Sequence, residues 1–255
     1  VTESDSVLAT NAVTKAFGGI RAVDRCTLAV RRGTITGLIG PNGAGKTTLF
    51  NLIVGLYAPD DGTITFNGRR IDGRPAYEIV ERGVVKTFQI PREFRRLTVL
   101  ENLLVAHPRH PGENPISALL GLRKVWDVEE TLRKRALDML ALVELDTLSD
   151  AYASDLSGGQ KKLLELARAL MTEPRLVLLD EPVAGVNPTL TRKLLGLLND
   201  LRARGKSFFM IEHDMDVVMN QCDRVIAMHQ GRPIAEGMPE EVRSDSQVLE
   251  SYLGG

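Results

Sequence analysis

Gly40-Pro-Asn-Gly-Ala-Gly45-Lys46-Thr47 is the stretch on which the rest of the chain hangs. An apolar run, Ile35-Thr-Gly-Leu-Ile39, leads into it. Thr48-Leu-Phe-Asn-Leu-Ile-Val54 leaves it as a helix that stops near Gly55. The octet fits G-x-x-x-x-G-K-[ST]. In that pattern glycines let the backbone wrap round phosphate oxygens with its N–H groups pointing inward. The following helix aims its positive end at the same anion. The lysine reaches the β/γ-phosphates, and the next hydroxyl faces Mg²⁺. Composition alone produces such a match in roughly 1 of 100 chains of this length. The neighbours therefore decide: a merely Gly-rich turn needs neither the strand before it nor the helix after it. Asn42, Gly43, Ala44, Gly45, Lys46, Thr47 and Thr48 are the candidate nucleotide-binding residues here, with Thr47 also toward the metal.

A phosphate loop of this kind needs a distant carboxylate for Mg²⁺, and Leu176-Val-Leu-Leu-Asp180-Glu181 supplies one at the end of an apolar strand. A surface carboxylate pair is the plainer alternative. Four apolar residues ahead of two adjacent acids favour the functional reading, with Asp180 holding a metal-bound water and Glu181 orienting or deprotonating the attacking water.

Working outward, Val7 to Phe17, Cys26 to Val30 and Ile35 to Ile39 read as strands. Thr63 to Phe66, Asn67-Gly68 and Arg69 to Ile71 read as a hairpin, since Asn-Gly tolerates a tight turn's positive φ angles. From about residue 90 the pattern turns helical. Thr98 is a cap candidate with Glu101 three residues on, and Leu132, Ala136, Met139, Leu140 and Val143 recur at helical spacing. After Ser157, helical stretches alternate with the short apolar strands Leu176–Leu179 and Phe208–Ile211, which suit a parallel sheet buried on both faces. Val225 to Met228, Gln230-Gly231 and Pro233 to Ala235 suggest a last hairpin. The expected fold is α/β, with a mostly parallel sheet, an antiparallel β subdomain and a helical insertion. Residues 1–89 and 156–255 form the core in this reading, and 90–155 the insertion.

Composition bounds the function. With 255 residues the chain can bury a core without staples. Lys+Arg 32 against Asp+Glu 33, net charge −1, argues against nucleic-acid binding through bulk charge. Two cysteines, Cys26 and Cys222, fit a reducing compartment better than a disulfide scaffold. No apolar run reaches ~18 residues, and the first residues do not read as a signal peptide. The expectation is a cytoplasmic protein that reaches a membrane only through a partner.

Leu156-Ser157-Gly158-Gly159-Gln160, between the phosphate loop and Asp180-Glu181, makes the whole chain closely resemble the ATP-binding subunits of ABC transporters. Alone this pentapeptide could be a helix cap, with Ser157 at the N-cap. The resemblance implies a second phosphate clamp, in which Ser157, Gly158, Gly159 and Gln160 act on ATP held by another subunit's phosphate loop. It further implies that Gln89 contacts Mg²⁺ and the attacking water, and that His213, in Met-Ile-Glu-His-Asp, contacts the γ-phosphate. It places Phe17 against the adenine, with Val23 flanking the same ring; an ordinary strand-end core residue is the alternative for Phe17. Asn187, in Ala184-Gly-Val-Asn187, stands where many members carry Asp.

Phe88-Gln-Ile-Pro-Arg92, Ala184-Gly-Val-Asn-Pro188 and Ile211-Glu-His-Asp-Met-Asp-Val-Val218 resemble the branched-chain amino-acid importer branch. This implies ATP and Mg²⁺ as cofactors and transmembrane permease subunits as partners. It also implies a homodimer or a heterodimer with a second ATPase subunit, an indirect link to a substrate-binding protein, and a place on the inner face of the membrane. ATPases for urea, or for lipopolysaccharide and other lipids, share much of the pattern. A P-loop kinase or GTPase is disfavoured by the pentapeptide and by the lack of an N-K-x-D guanine reader. A non-transport ABC protein usually carries two cassettes or a long coiled-coil insertion, and a purely regulatory module has no need of Glu181.

Overall fold

A computed structural model describes residues 5–87, 93–107 and 122–253, with only the backbone for 122–127 and 253. The described chain divides into two compact units. The first takes residues within 1–89, 175–182 and 198–255, the second those within 90–174 and 183–197.

The first unit carries two sheets. Strands β1 (Ser6–Phe17) and β2 (Ile20–Arg31) pair antiparallel and are joined by β4 (Asp61–Phe66) and the two-residue β5 (Arg69–Arg70), in the order β2-β1-β4-β5. Asn67 (φ 48°) and Gly68 (φ 72°) make the turn before β5. The second sheet has six strands: β3 (Ile35–Ile39), β6 (Val84–Lys86), β7 (Leu176–Asp180), β8 (Ser207–Ile211), β9 (Arg224–His229) and β10 (Arg232–Gly237). Their order is β10-β9-β3-β8-β7-β6, parallel throughout except for the β9–β10 hairpin. Every residue of β3, β7 and β8 is buried, as expected of parallel strands covered on both faces.

Helix α1 (Lys46–Ile53) follows β3 and sends Leu49, Phe50, Leu52 and Ile53 into a buried cluster. That cluster joins Leu8 and Ile64 of the antiparallel sheet to Leu178, Phe209 and Ile226 of the parallel one. Phe50 meets Phe209 with ring centroids 5.0 Å apart. The phosphate loop is thus mounted on two rigid elements locked into the core.

Helix α2 (Ala76–Glu81) precedes β6. Neither has a clear signature: α2 is under two turns, and β6 is a three-residue edge strand recognisable only by its pairing with Leu176–Leu178. Helix α3 (Val99–Val105) opens the described part of the second unit with the expected capping box. Glu101 N–H donates to Thr98 Oγ1 at 3.1 Å, and Thr98 N–H donates to Glu101 Oε2 at 2.7 Å. Helix α4 (Leu122–Leu142) buries Leu132, Ala136 and Leu140 as the spacing predicts.

Helix α5 (Gly158–Met171) packs on α3 and α4, so the helical unit continues past 155 to residue 174. It also recruits 183–197, including the first part of α6 (Pro188–Ala203). The second unit of the structure therefore runs past the boundary expected at 155/156. The reason is packing: the apolar stripe of α5 (Leu163, Leu164, Ala167, Leu170, Met171) is buried against helices, which its sequence does not disclose. The chain ends in α7 (Met215–Gln221), α8 (Pro239–Arg243) and α9 (Ser246–Leu253). Among the described residues no helix is long and apolar enough to cross a membrane. Both cysteines are buried free thiols that burial pushes up to about 12.

Candidate functional site

The glycines of the phosphate loop are fixed by neighbouring backbone. Gly40 has φ 146°, and a Cβ there would lie 2.1 Å from the Met228 carbonyl oxygen of β9; Gly45 has φ 98°, and a Cβ there would lie 2.2 Å from the Ala22 oxygen of β2. No L side chain fits either place. Gly43 (φ 80°) is different: its surroundings are open, and glycine serves there only for the backbone conformation.

The turn of the β9–β10 hairpin buttresses the loop. Gly231 N–H donates to Ala44 O at 3.0 Å, and Asp24 N–H donates to Gly231 O at 3.0 Å. Arg232 Nε donates to Asp24 Oδ2 at 2.9 Å, and that guanidinium holds the Asp24 carboxyl below its usual range. The Tyr252 hydroxyl of α9 accepts from the Gly40 backbone, while burial pushes its phenol pKa up. No sequence pattern announced Asp24, Arg232 or Tyr252, since each comes near the loop only through tertiary pairing.

Gly45 caps α1 without a side chain, so the Lys46, Thr47 and Thr48 amides at the helix start have no intrahelical acceptor. Asn42, Gly43 and Thr47 are exposed. Ala44 is 2% exposed, and its amide donates to Pro41 O at 3.2 Å. Its amide is therefore spent on the loop's own turn and its carbonyl on Gly231. Lys46 is buried, with Nζ donating to Gly40 O at 2.7 Å and Pro41 O at 3.0 Å. Burial lowers its pKa, and the Glu181 and Asp180 carboxylates work in the opposite direction. This is a backbone and ammonium cradle for an anion.

Asp180 ends β7 and Glu181 follows at φ 51°, a left-handed conformation that a residue with Cβ rarely adopts. Its amide donates to Ile211 O of β8 at 3.0 Å, which holds the turn. His213, two residues beyond β8, places Nε2 2.9 Å from Glu181 Oε1. Both side chains remain partly open, His213 at 41% and Glu181 at 20%. The sequence named both residues; their pairing follows from the adjacency of β7 and β8. The Asp180 carboxylate and Thr47 hydroxyl are hard oxygen donors, the type that binds Mg²⁺ together with substrate phosphates.

Phe17, at the end of β1, is 45% exposed, which overturns the core alternative. It stands edge-on to Tyr57 at 5.2 Å, with Lys15 Nζ 5.6 Å from its ring centre. Val23 is corrected: its side chain is 0% exposed within the core cluster and offers no face to a bound base. A bulge turns it inward: Arg25 has φ 45°, the pairing with β1 shifts register there, and Val23 and Asp24 are both buried. Gln89 lies outside the described residues, as do Phe88 and Ile90 to Arg92.

In the second unit, Ser157 is the N-cap of α5. Its Oγ accepts from Gln160 N–H at 3.3 Å, and Gln160 Oε1 accepts from Ser157 N–H at 2.9 Å. The cap and clamp readings coexist, because the cap uses a hydroxyl lone pair and leaves its proton to donate. Gly158 and Gly159 at the helix start also have amides without intrahelical acceptors. A Cβ on Gly159 would sit 2.1 Å from Leu190 Cδ2, so this glycine also serves close helix packing. Asn187 caps α6, its Oδ1 accepting from Leu190 N–H at 2.9 Å; capping needs an oxygen acceptor, not a charge.

Comparison with known proteins bears on this arrangement. The family described as ABC transporter matches residues 23–184, and the one described as branched-chain amino acid ATP-binding cassette transporter matches residues 232–255. The chain belongs to the ABC transporter ATP-binding family. This ABC ATPase is 42% identical over 248 residues to the probable branched-chain amino acid transport ATP-binding protein LivG of Archaeoglobus fulgidus, covering 97% of this chain and 95% of that one. It is 42% identical over 252 residues to the high-affinity branched-chain amino acid transport ATP-binding protein LivG of Salmonella typhimurium, covering 98% and 99%. A crystal structure of a nucleotide-free ATP-binding cassette from an ABC transporter superposes with TM-score 0.85 at 38% identity, over 98% of this chain and 100% of that one. The crystal structure of the ADP conformation of MJ1267, an ATP-binding cassette of an ABC transporter, gives 0.84 at 39%, over 98% and 99%. As a member of this family the ABC ATPase binds ATP and hydrolyses it to power transport.

Proposed function

We propose that this ABC ATPase drives import of branched-chain amino acids through transmembrane permease subunits, as a homodimer or with a second ATPase subunit, from the inner face of the membrane. The matched C-terminal segment at 232–255 and the relatives' names support the substrate class. The observation that carries the chemistry is the His213–Glu181 contact of 2.9 Å beside a carboxylate that ends β7. In this reading Lys46 and the amides from Gly43 to Thr48 bind the triphosphate, and Phe17 stacks on the adenine. Thr47, Asp180 and Gln89 hold Mg²⁺, which neutralises phosphate charge when bound. Glu181 accepts the proton of the attacking water, and His213 fixes the Glu181 carboxylate and reaches the γ-phosphate. Ser157, Gly158, Gly159 and Gln160 clamp ATP held by the partner copy.

Phe94 is 46% exposed, with the Arg168 guanidinium 4.9 Å from its ring centre. It fits a docking surface for a permease helix better than the interior of the helical unit. The experiment is uptake of labelled leucine in cells expressing the ATPase, with identification of the proteins that co-purify from solubilised membranes. Permease subunits and Lys46-dependent leucine uptake are expected. Co-purification with a urea or lipid permease would replace the substrate class while leaving the ATPase chemistry intact.

A further inference from the structure

Lys86 was not singled out by any motif. It is the last residue of β6, paired in register with Leu178 of β7. Its Nζ lies 3.0 Å from Asp180 Oδ2, and the two side chains are 7% and 6% exposed. The same ammonium donates to Asn51 Oδ1 of α1 at 2.9 Å. One buried cation therefore ties the carboxylate that ends β7 to the helix that starts at the phosphate loop.

Burying a charge is tolerated only when it is paired and hydrogen-bonded. Asp180 is an anion that the proposed mechanism needs in the ionised form, facing a divalent cation that arrives with nucleotide. Between turnovers some other positive charge must balance it. Among the described residues Oδ2 is the Asp180 oxygen engaged, which leaves Oδ1 to accept from a metal-bound water. Lys86 also opposes the metal by like charge, so metal affinity is set partly by the distance of its ammonium.

We propose that Lys86 is a positioning residue for the metal carboxylate: its ammonium balances and orients Asp180 against Asn51, and so tunes Mg²⁺ affinity. This rests on Asp180 being the Mg²⁺ carboxylate, as proposed above.

The test uses thermal unfolding of the full chain with ADP, in EDTA and across a Mg²⁺ titration. In Lys86→Met the Asp180 charge loses its directly paired ammonium and keeps only the Coulombic pull of Lys46, so without metal the melting temperature in EDTA falls. The extra stabilisation from Mg²⁺ then exceeds wild type, and the half-saturating Mg²⁺ concentration drops roughly tenfold through loss of the competing charge. Lys86→Arg, which keeps the charge, stays near wild type. The double variant Lys86→Met/Asp180→Asn recovers the EDTA melting temperature, because neither charge remains; this arm decides if Lys86→Met alone does not fold. A Lys86→Met protein with wild-type Mg²⁺ half-saturation, or a double variant no more stable in EDTA than the single one, overturns the inference. Wild-type protein in which Mg²⁺ adds nothing to ADP overturns the Asp180 assignment and this inference with it.

Discussion

In the proposed mechanism Glu181 and His213, two side chains of ordinary type, take their roles from backbone placement. Glu181 sits in a left-handed conformation held by one hydrogen bond to β8, and local strain of this kind persists only where the surroundings enforce it. Glu181→Gln preserves the shape and removes the proton acceptor. ATP binding should persist while turnover falls roughly 10²–10⁴-fold, measured by steady-state hydrolysis beside calorimetric binding; wild-type turnover would move the base to His213. Lys46 gives a pH prediction. Burial lowers its pKa from the usual lysine value, whereas a bound triphosphate favours the ammonium and raises it. ATP binding should therefore take up a proton in the alkaline window between those two values, and affinity should fall as pH rises through it. Calorimetry in buffers of different ionisation enthalpy reads the uptake directly. Lys46→Ala should abolish the uptake and most of the affinity.

Among the elements, the start of the helical unit separates surface from scaffold. Asn102 is 0% exposed. It accepts from Phe94 N–H at 2.8 Å and donates to Phe94 O at 3.1 Å and Thr98 O at 2.9 Å. The backbone at Phe94 is thus anchored while its ring remains exposed. Asn102→Ala should cost about 2–3 kcal/mol, because it strands buried backbone groups. Phe94→Asp should change stability by about 0.5 kcal/mol or less while reducing permease-stimulated ATPase activity. Denaturant melts and an assay with co-purified permease separate the two. Elements with a strong local code were legible: the strand–loop–helix at 35–53, the capping box at Thr98 and the Asn67-Gly68 turn. α2, β6 and the membership of α5 in the helical unit were not, because short edge strands and packing partners leave no periodic trace.

At the scale of the whole molecule, one chain carries both a phosphate cradle at Lys46 and a clamp candidate at Ser157. The proposed mechanism needs two copies around nucleotide. Glu181→Gln should be largely monomeric without ATP and associate with MgATP, as followed by sedimentation. Lys46→Ala and Ser157→Arg should each be nearly inactive, and their mixture should regain part of the activity, because a heterodimer concentrates both lesions in one composite site and leaves the other intact. Absence of MgATP-dependent association at every concentration would favour pairing with a second ATPase subunit.

The sequence by itself made the phosphate loop, the Asp180-Glu181 pair and the α/β class legible, while His213 was named only through the family resemblance. The first three rest on residue types that chemistry restricts within a few positions of one another. Only the tertiary structure decided that Glu181 meets His213, that Lys86 balances Asp180, that Val23 faces the core, and that Gly40 and Gly45 are jammed against β9 and β2. Those facts depend on which strand lies beside which and, for Val23, on the bulge at Arg25 that breaks the alternation of its strand. They are products of long-range pairing, where contact is made between residues that no local pattern connects.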